Sequence, residues 1–187
     1  MICIFFIDGS GFKQTIKPNP KWVQALKDKN YHIQCAKIAN LASLRKSFVA
    51  FQKECHRTFE HAQVGVFGIS SGGYFAQRLH ALYGCDFCIT LCPIFNPAYR
   101  KNFLLSKKNH LQKTRRLPKN ARTTRKIGNK IDDHSLVIVG NKDMYAPLSM
   151  YEPYDIKHFM VLKNKDHRIT TYPHGKIMKK MEEFILS

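Results

Sequence analysis

The chain is 187 residues long and 44% apolar, which is enough for one domain around one sizeable core. Its formal net charge of +18, from 31 Lys and Arg against 13 Asp and Glu, predicts attraction to anionic molecules. The apolar opening 1–7 has no basic leader and is far shorter than the roughly 20 residues of a membrane span. We therefore interpret it as a strand, and not as a signal peptide or a membrane anchor.

The cysteines lie mostly inside apolar segments, at positions 3, 35, 55, 85, 88 and 92. In a chain without a secretion signal this usage predicts reduced thiols and a cytoplasmic location. Cys85, Cys88 and Cys92 fall in a strand-like run, whose alternate side chains face opposite sides, and no nearby histidine pair completes a tetrahedral site. We therefore expect no metal and no other cofactor.

Strand and helix signals alternate along the chain. Strands are predicted over 1–7, 31–36, 64–69, 86–92, 135–139 and 159–162, and helices over 20–29, 41–59 and 72–83, with a last helix opened by Pro173. In the helix 41–59, apolar residues recur every three or four positions, which indicates one buried face. Such alternation predicts a three-layer α/β/α sandwich with a mostly parallel sheet, formed by a single domain over residues 1–187.

One segment, 98–134, is too long and too polar for a simple connection, and we expect it to form a cap or lid. It contains most of the unbalanced charge, because no acidic residue lies between Asp86 and Asp132 while twelve Lys and Arg lie between Arg100 and Lys130. We expect this basic segment to attract an anionic substrate, or else nucleic acid or an anionic membrane surface. The oligomeric state stays open.

A nucleophile elbow is predicted at 68–72, where the sequence Gly-Ile-Ser-Ser-Gly follows a strand and precedes a helix. Gly68 and Gly72 relieve crowding where the chain turns sharply and presents Ser70 as the candidate nucleophile. The Ser71 amide then lies at a helix N-terminus, where it can donate to a developing oxyanion. The alternatives are a glycine-rich turn kept for packing or for phosphate binding, or Ser71 as the nucleophile.

A serine hydroxyl needs a base, and the base needs an orienting acid. Asp143 lies just beyond one predicted strand end and His167 just beyond the next. Both side chains should therefore project from the same edge of the sheet as Ser70. The alternatives are Asp155 or Asp166 as the acid, and His158 or His174 as the base.

Together these motifs resemble the α/β-hydrolase superfamily, and within it the small bacterial esterases of the YqiA type. The resemblance covers nearly the whole chain and includes the elbow 68–74, the segment 96–100 and the histidine loop at 166–167. It also implies that Ser10 or Gly9 supplies the first oxyanion amide. Asp8 stands where these proteins have histidine, and a carboxylate there opposes an oxyanion unless it points away or is neutralised.

The resemblance implies a serine hydrolase that cleaves a carboxylic ester or thioester of a small acyl substrate through an acyl-enzyme on Ser70. The alternative function is binding: a hydrolase-like protein that has lost catalysis and holds nucleic acid or anionic lipid with its basic segment. A complete Ser70, Asp143 and His167 set would favour the enzyme, because a binding protein does not need it.

Overall fold

The computed structural model describes residues 1–9, 15–97 and 127–187 and contains a six-stranded sheet in the order β2-β1-β3-β4-β5-β6, with every neighbouring pair parallel. The strands are β1 (Ile2–Ile7), β2 (His32–Cys35), β3 (Gln63–Ile69), β4 (Phe87–Leu91), β5 (Lys130–Gly140) and β6 (Asp155–Leu162). The helices are α1 (Pro20–Lys27), α2 (Leu41–Thr58), α3 (Ser71–Tyr83) and α4 (Gly175–Ile185), with 3-10 turns at Leu148–Met150 and His167–Thr170.

Aromatic side chains of the sheet contact helices on both of its faces. Phe5 of β1 packs edge-on against Phe48 of α2, with ring centroids 5.5 Å apart. Its neighbour Phe6 stacks on Phe67 of β3, which in turn contacts Trp22 of α1. Because consecutive strand residues point to opposite faces, α1 and α2 cover opposite sides of the sheet. The predicted α/β/α architecture with a parallel sheet is confirmed.

Local signals set the ends of the helices close to the predicted positions. The Asn40 side chain accepts the Ala42 amide at 2.9 Å, which caps the start of α2. Gly84 adopts the left-handed conformation, with φ +61°, that ends α3. The last helix begins at Gly175, two residues after the Pro173 that predicted it, and His174 is its N-cap.

Strand β5 begins at Lys130, so the last five residues of the predicted insertion 98–134 belong to the sheet. The polar stretch 132–134 hides this start of the strand, because the register with β6 shifts between Ile131 and Leu136 and breaks the apolar pattern. Residues 98–126, which carry the predicted cap, lie outside the described part of the chain, as do residues 10–14.

All six cysteines are free thiols, and all except the half-buried Cys35 are buried. Burial is the main cause that raises the pKa of the Cys55 and Cys85 thiols to about 12. Within the described ranges, no helix is both long and apolar enough to cross a membrane.

The indole of Trp22 ties α1 to the turn that follows β6. Its Nε1–H donates to the backbone oxygen of Thr170 at 2.9 Å, and the side chain is fully buried. Thr170 ends the 3-10 turn that begins at His167, and its hydroxyl donates to the His167 carbonyl at 2.7 Å. This buried hydrogen bond therefore fixes the position of the histidine loop relative to the core.

We predict that Trp22→Phe lowers the free energy of unfolding by about 1–3 kcal/mol, because the Thr170 oxygen stays buried without its donor. Urea denaturation measures the change. Tyr83→Phe is the control, since it removes a hydroxyl that accepts a hydrogen bond from Arg45 at an exposed position, and it should change stability by less than about 0.5 kcal/mol. Equal effects of the two substitutions would contradict the role of the indole.

Close backbone packing of α3 against β1 depends on a glycine. A Cβ atom at Gly72 would lie 2.1 Å from the Ile7 carbonyl oxygen and 2.8 Å from the Asp8 oxygen. No side chain fits there unless the helix moves away from the sheet. Because α3 begins directly after Ser70, such a movement would also displace that serine.

We predict that Gly72→Ala destabilises the protein by about 1–3 kcal/mol or more through this overlap. Gly175→Ala is the matched control, because its Cβ would meet nothing within 4 Å at the first turn of α4, and it should raise stability by about 0.5 kcal/mol. Thermal unfolding of both variants is the measurement. A Gly72→Ala variant as stable as the wild type would show that the packing at this position is loose.

Candidate active site

Ser70 lies at a sharp turn between β3 and α3, with a positive φ of 54° and a ψ of −120° that non-glycine residues rarely adopt. Its amide donates to the Leu91 carbonyl at 2.8 Å, and its own carbonyl accepts the Gly73 and Ile94 amides at 3.0 and 3.1 Å. Gly68 makes room for the turn, because a Cβ there would lie 2.6 Å from the Gly72 oxygen. A non-glycine residue in this conformation costs on the order of 1–3 kcal/mol, which the surrounding hydrogen bonds offset.

His167 lies between the other two predicted residues. Its Nε2 is 3.1 Å from Ser70 Oγ, and its Nδ1 is 2.6 Å from Asp143 Oδ2. The carboxylate can only accept, so Nδ1 carries the hydrogen and Nε2 is left to accept the serine hydroxyl. This is the arrangement in which a histidine acts as a general base toward serine.

Asp143 is held as an acceptor by the loop that follows β5. Its Oδ1 accepts the Tyr145 and Ala146 amides at 2.8 and 2.9 Å, and its side chain is inaccessible to solvent. The Tyr145 ring lies with its centroid 5.1 Å from that of the His167 ring. The backbone donors stabilise the ionised carboxylate and fix its orientation toward His167.

The four alternative residues are engaged elsewhere. Asp155 lies at the amino end of β6, and the Asp166 carboxylate caps the 3-10 turn and pairs with Arg168 at 2.8 Å. His158 packs against Phe184 of α4, and His174 caps the same helix. The structure therefore brings Asp143 and His167, and none of the four alternatives, to Ser70.

Of the three residues predicted to stabilise an oxyanion, the structure describes two. Ser71 is fully buried at the first position of α3, and Ser10 lies outside the described residues. Gly9 is next to Ser70, since a Cβ there would lie 2.8 Å from Ser70 Cβ, but its amide donates to Asp8 Oδ1 at 2.6 Å. The Gly9 amide is therefore already engaged with Asp8 in this structure.

The Asp8 carboxylate is turned toward the backbone. Its second oxygen accepts the Asn19 amide at 2.5 Å. Burial is the main cause that raises the pKa of Asp8, while the hydrogen bonds from Gly9 and Asn19 act in the opposite direction. Asn19 was not identified from the sequence as part of this region. The only sequence signal is its place before a helix, as an N-cap.

One further residue near the site, Cys92, was interpreted from the sequence only as a buried thiol. Its Sγ, one ring nitrogen of His167 and one carboxylate oxygen of Asp143 all lie within 4.8 Å of one another. These are the donor types that zinc prefers. However, His167 Nδ1 and Asp143 Oδ2 are 2.6 Å apart, whereas two ligand atoms on one tetrahedral zinc ion are separated by roughly 3.3 Å. The pair therefore fits a hydrogen bond better than a shared metal ion.

No protein-family model and no curated protein sequence matches the chain. Solved structures do match it over nearly its whole length. Carboxyl esterase 2 from the mycorrhizal fungus Tuber melanosporum is similar with a TM-score of 0.69 at 9% identity, covering 99% of this chain and 76% of that one. Est1E from Butyrivibrio proteoclasticus has a TM-score of 0.63 at 16% identity, covering 100% and 88%.

A monoacylglycerol lipase from Paleococcus ferrophilus is similar with a TM-score of 0.61 at 13% identity, covering 98% of this chain and 94% of that one. Sequence identities this low bear on the fold and not on the activity. The strand order, the parallel sheet and these similarities together show that this chain has the α/β-hydrolase fold.

Proposed function

We propose that the protein is a serine hydrolase that cleaves a carboxylic ester or thioester through an acyl-enzyme on Ser70. The observation that carries the proposal is the continuous hydrogen-bonded series from Ser70 Oγ through His167 to Asp143, with separations of 3.1 and 2.6 Å. Its three members come from three separate loops, and each follows the carboxyl end of a strand. A purely structural role does not require this order of groups.

The reaction begins with attack of Ser70 Oγ on the substrate carbonyl carbon, while His167 Nε2 takes the hydroxyl proton. The tetrahedral intermediate collapses, and Nε2 returns that proton to the departing alcohol or thiol. Water then attacks the acyl-enzyme with His167 again as the base, which releases the acid and restores Ser70. Throughout, Asp143 holds the imidazole tautomer and stabilises the imidazolium.

Donors are also needed for the negative oxygen of the intermediate. The Ser71 amide at the start of α3 is one candidate, because the positive end of the helix dipole lies there. Ser10 is the other. Gly9 could join them only after its amide leaves the Asp8 carboxylate.

We expect a small acyl substrate with an ester more than a thioester bond, as in the YqiA-type esterases that the sequence resembles. Exposed apolar side chains of Met144 and Tyr145 follow the catalytic acid and favour an apolar acyl group. The free thiols favour a reducing compartment such as the cytoplasm.

The alternative is a catalytically inactive binding protein that holds nucleic acid or anionic lipid, and the net charge of +18 favours it. It assigns no task to the Ser70, His167 and Asp143 contacts. The same charge is also compatible with an enzyme for anionic substrates, so the two functions are best separated by testing the nucleophile.

We predict that Ser70→Ala abolishes hydrolysis of short p-nitrophenyl esters and covalent labelling by a fluorophosphonate, with a loss of activity on the order of 10³-fold or more. The fold should remain intact, because the hydroxyl carries little packing. Asp143→Asn should strongly lower the rate of ester hydrolysis. Asp166→Asn, which changes the residue next to His167 in sequence, should keep most of the wild-type rate.

Two results would overturn the nucleophile assignment. One is undiminished turnover in Ser70→Ala, and the other is fluorophosphonate labelling of Ser71 instead of Ser70 in the wild type. If the folded wild type neither labels nor hydrolyses any ester and instead binds polyanions, the binding function is correct.

We also predict that replacing Arg115, Arg116, Arg125 and Lys126 with Glu raises KM for an anionic ester and spares kcat. Attraction acts on encounter over a screening length of roughly 8 Å, so a neutral ester should be almost unaffected. Steady-state kinetics at two salt concentrations provide the measurement. Equal responses of the two esters would indicate a structural role of the segment, and loss of polyanion binding alone would indicate a partner.

A further inference from the structure

Cys92 follows β4 directly and has a left-handed backbone, with φ 47°. Its amide donates to the Ile138 carbonyl of β5 at 2.8 Å, and the residue is fully buried. A left-handed conformation is unfavourable for cysteine and persists only when its surroundings impose it. The strain therefore marks a position where the direction of the side chain matters.

The thiol of Cys92 faces the acid and the base of the candidate active site. Its sulfur belongs to the group of three donor atoms, with Asp143 and His167, that lie within 4.8 Å of one another. Burial raises the pKa of the Cys92 thiol well above its usual range, and the charge of Asp143 and a hydrogen bond with it act in the same direction. The sulfur thus keeps its proton and can act as a weak donor.

Asp143 has room for this donor. An ionised carboxylate offers about four acceptor positions, and in a buried site each unfilled position costs stability. Two backbone amides fill Oδ1 of Asp143, while Oδ2 accepts only His167 among the hydrogen bonds described above. The Cys92 sulfur lies within 4.8 Å of a carboxylate oxygen of Asp143, so its S–H is the neighbouring donor that a small movement would bring to the remaining position.

We propose that Cys92 is a positioning residue of this site, whose S–H donates to the Asp143 carboxylate, fixes its orientation and weakens its pull on the His167 proton. The inference rests on the proposed hydrolase function. It gives the thiol a role beyond filling space, which is to act through Asp143.

The expected consequence concerns the protonation of the base. Without the thiol hydrogen, the Asp143 carboxylate carries more of its charge toward His167 and stabilises the imidazolium form. Imidazolium cannot accept the Ser70 proton. As the pH is lowered, the variant without the thiol should therefore lose activity at a higher pH than the wild type does. The loosened carboxylate should also lower the rate at the pH optimum.

The test compares Cys92→Ala, Cys92→Ser and Cys88→Ala. Cys88 is the matched control, because it is a fully buried cysteine of β4, the strand that ends just before Cys92, and its thiol interacts with Ser135. In Cys92→Ala, the acid limb of the kcat/KM profile should move upward by about half a pH unit, and kcat should fall roughly threefold to tenfold.

Cys92→Ser supplies a stronger donor in nearly the same place, so its acid limb should stay at or below that of the wild type. It also keeps the test valid if Cys92→Ala fails to fold. Cys88→Ala should lose stability without moving the limb. An unmoved limb in Cys92→Ala, or equal shifts in all three variants, would overturn the proposal.

A second measurement separates this inference from the hydrolase proposal. The pH midpoint of the His167 ring in the resting protein, followed by NMR and assigned with His167→Gln, needs no turnover. If Ser70→Ala stays active but the midpoint still rises in Cys92→Ala, the nucleophile assignment fails and the Cys92 contact stands. If Ser70→Ala is inactive and the midpoint is unchanged, only the role of Cys92 fails.

Discussion

The strained, positive-φ backbone of Ser70 is the constraint on which the rest of the site depends. It is stabilised from three directions, by Leu91 at the end of β4, by Gly73 in the first turn of α3 and by Ile94 beyond the sheet. These contacts exist only when β3 and β4 are in register and α3 lies close against β1 at Gly72. The position of a single hydroxyl is thus specified by the assembled sheet, and partial unfolding of any of these elements would release it.

Much of this could be predicted from sequence because parallel strands bury both faces and appear as short apolar runs, and because glycines mark the elbow. The positions of Asp143 and His167 followed from one rule, that loops at the carboxyl ends of parallel strands converge. Cys92 obeys the same rule and was overlooked, since a cysteine among apolar residues has the pattern of a core residue. The start of β5 was missed because it lies in an irregular, polar stretch of strand, where the Asp132 carboxylate contacts His80 at 2.6 Å. Such a contact between residues far apart in the chain leaves no local pattern in the sequence.

Asp8 shows how a buried carboxylate is accommodated after the first strand. The sequence suggested that a carboxylate there opposes an oxyanion unless it points away or is neutralised. In the structure its two oxygens accept the amides of Gly9 and Asn19, which brings together the two ends of the loop between β1 and α1. Two backbone donors help to disperse the charge of a carboxylate. Among the described residues, Asp8 thus joins the two ends of this loop through hydrogen bonds from the main chain.

The distribution of the free thiols also has a consequence for following the molecule in solution. Only a thiolate reacts readily with an alkylating reagent, and burial with a high pKa suppresses that form in Cys3, Cys55, Cys85 and Cys88. These side chains belong to the first strand, the second helix and the region of β4. Alkylation of each one therefore measures how often its own element opens, and mass spectrometry of the modified peptides would resolve the order in which the layers separate.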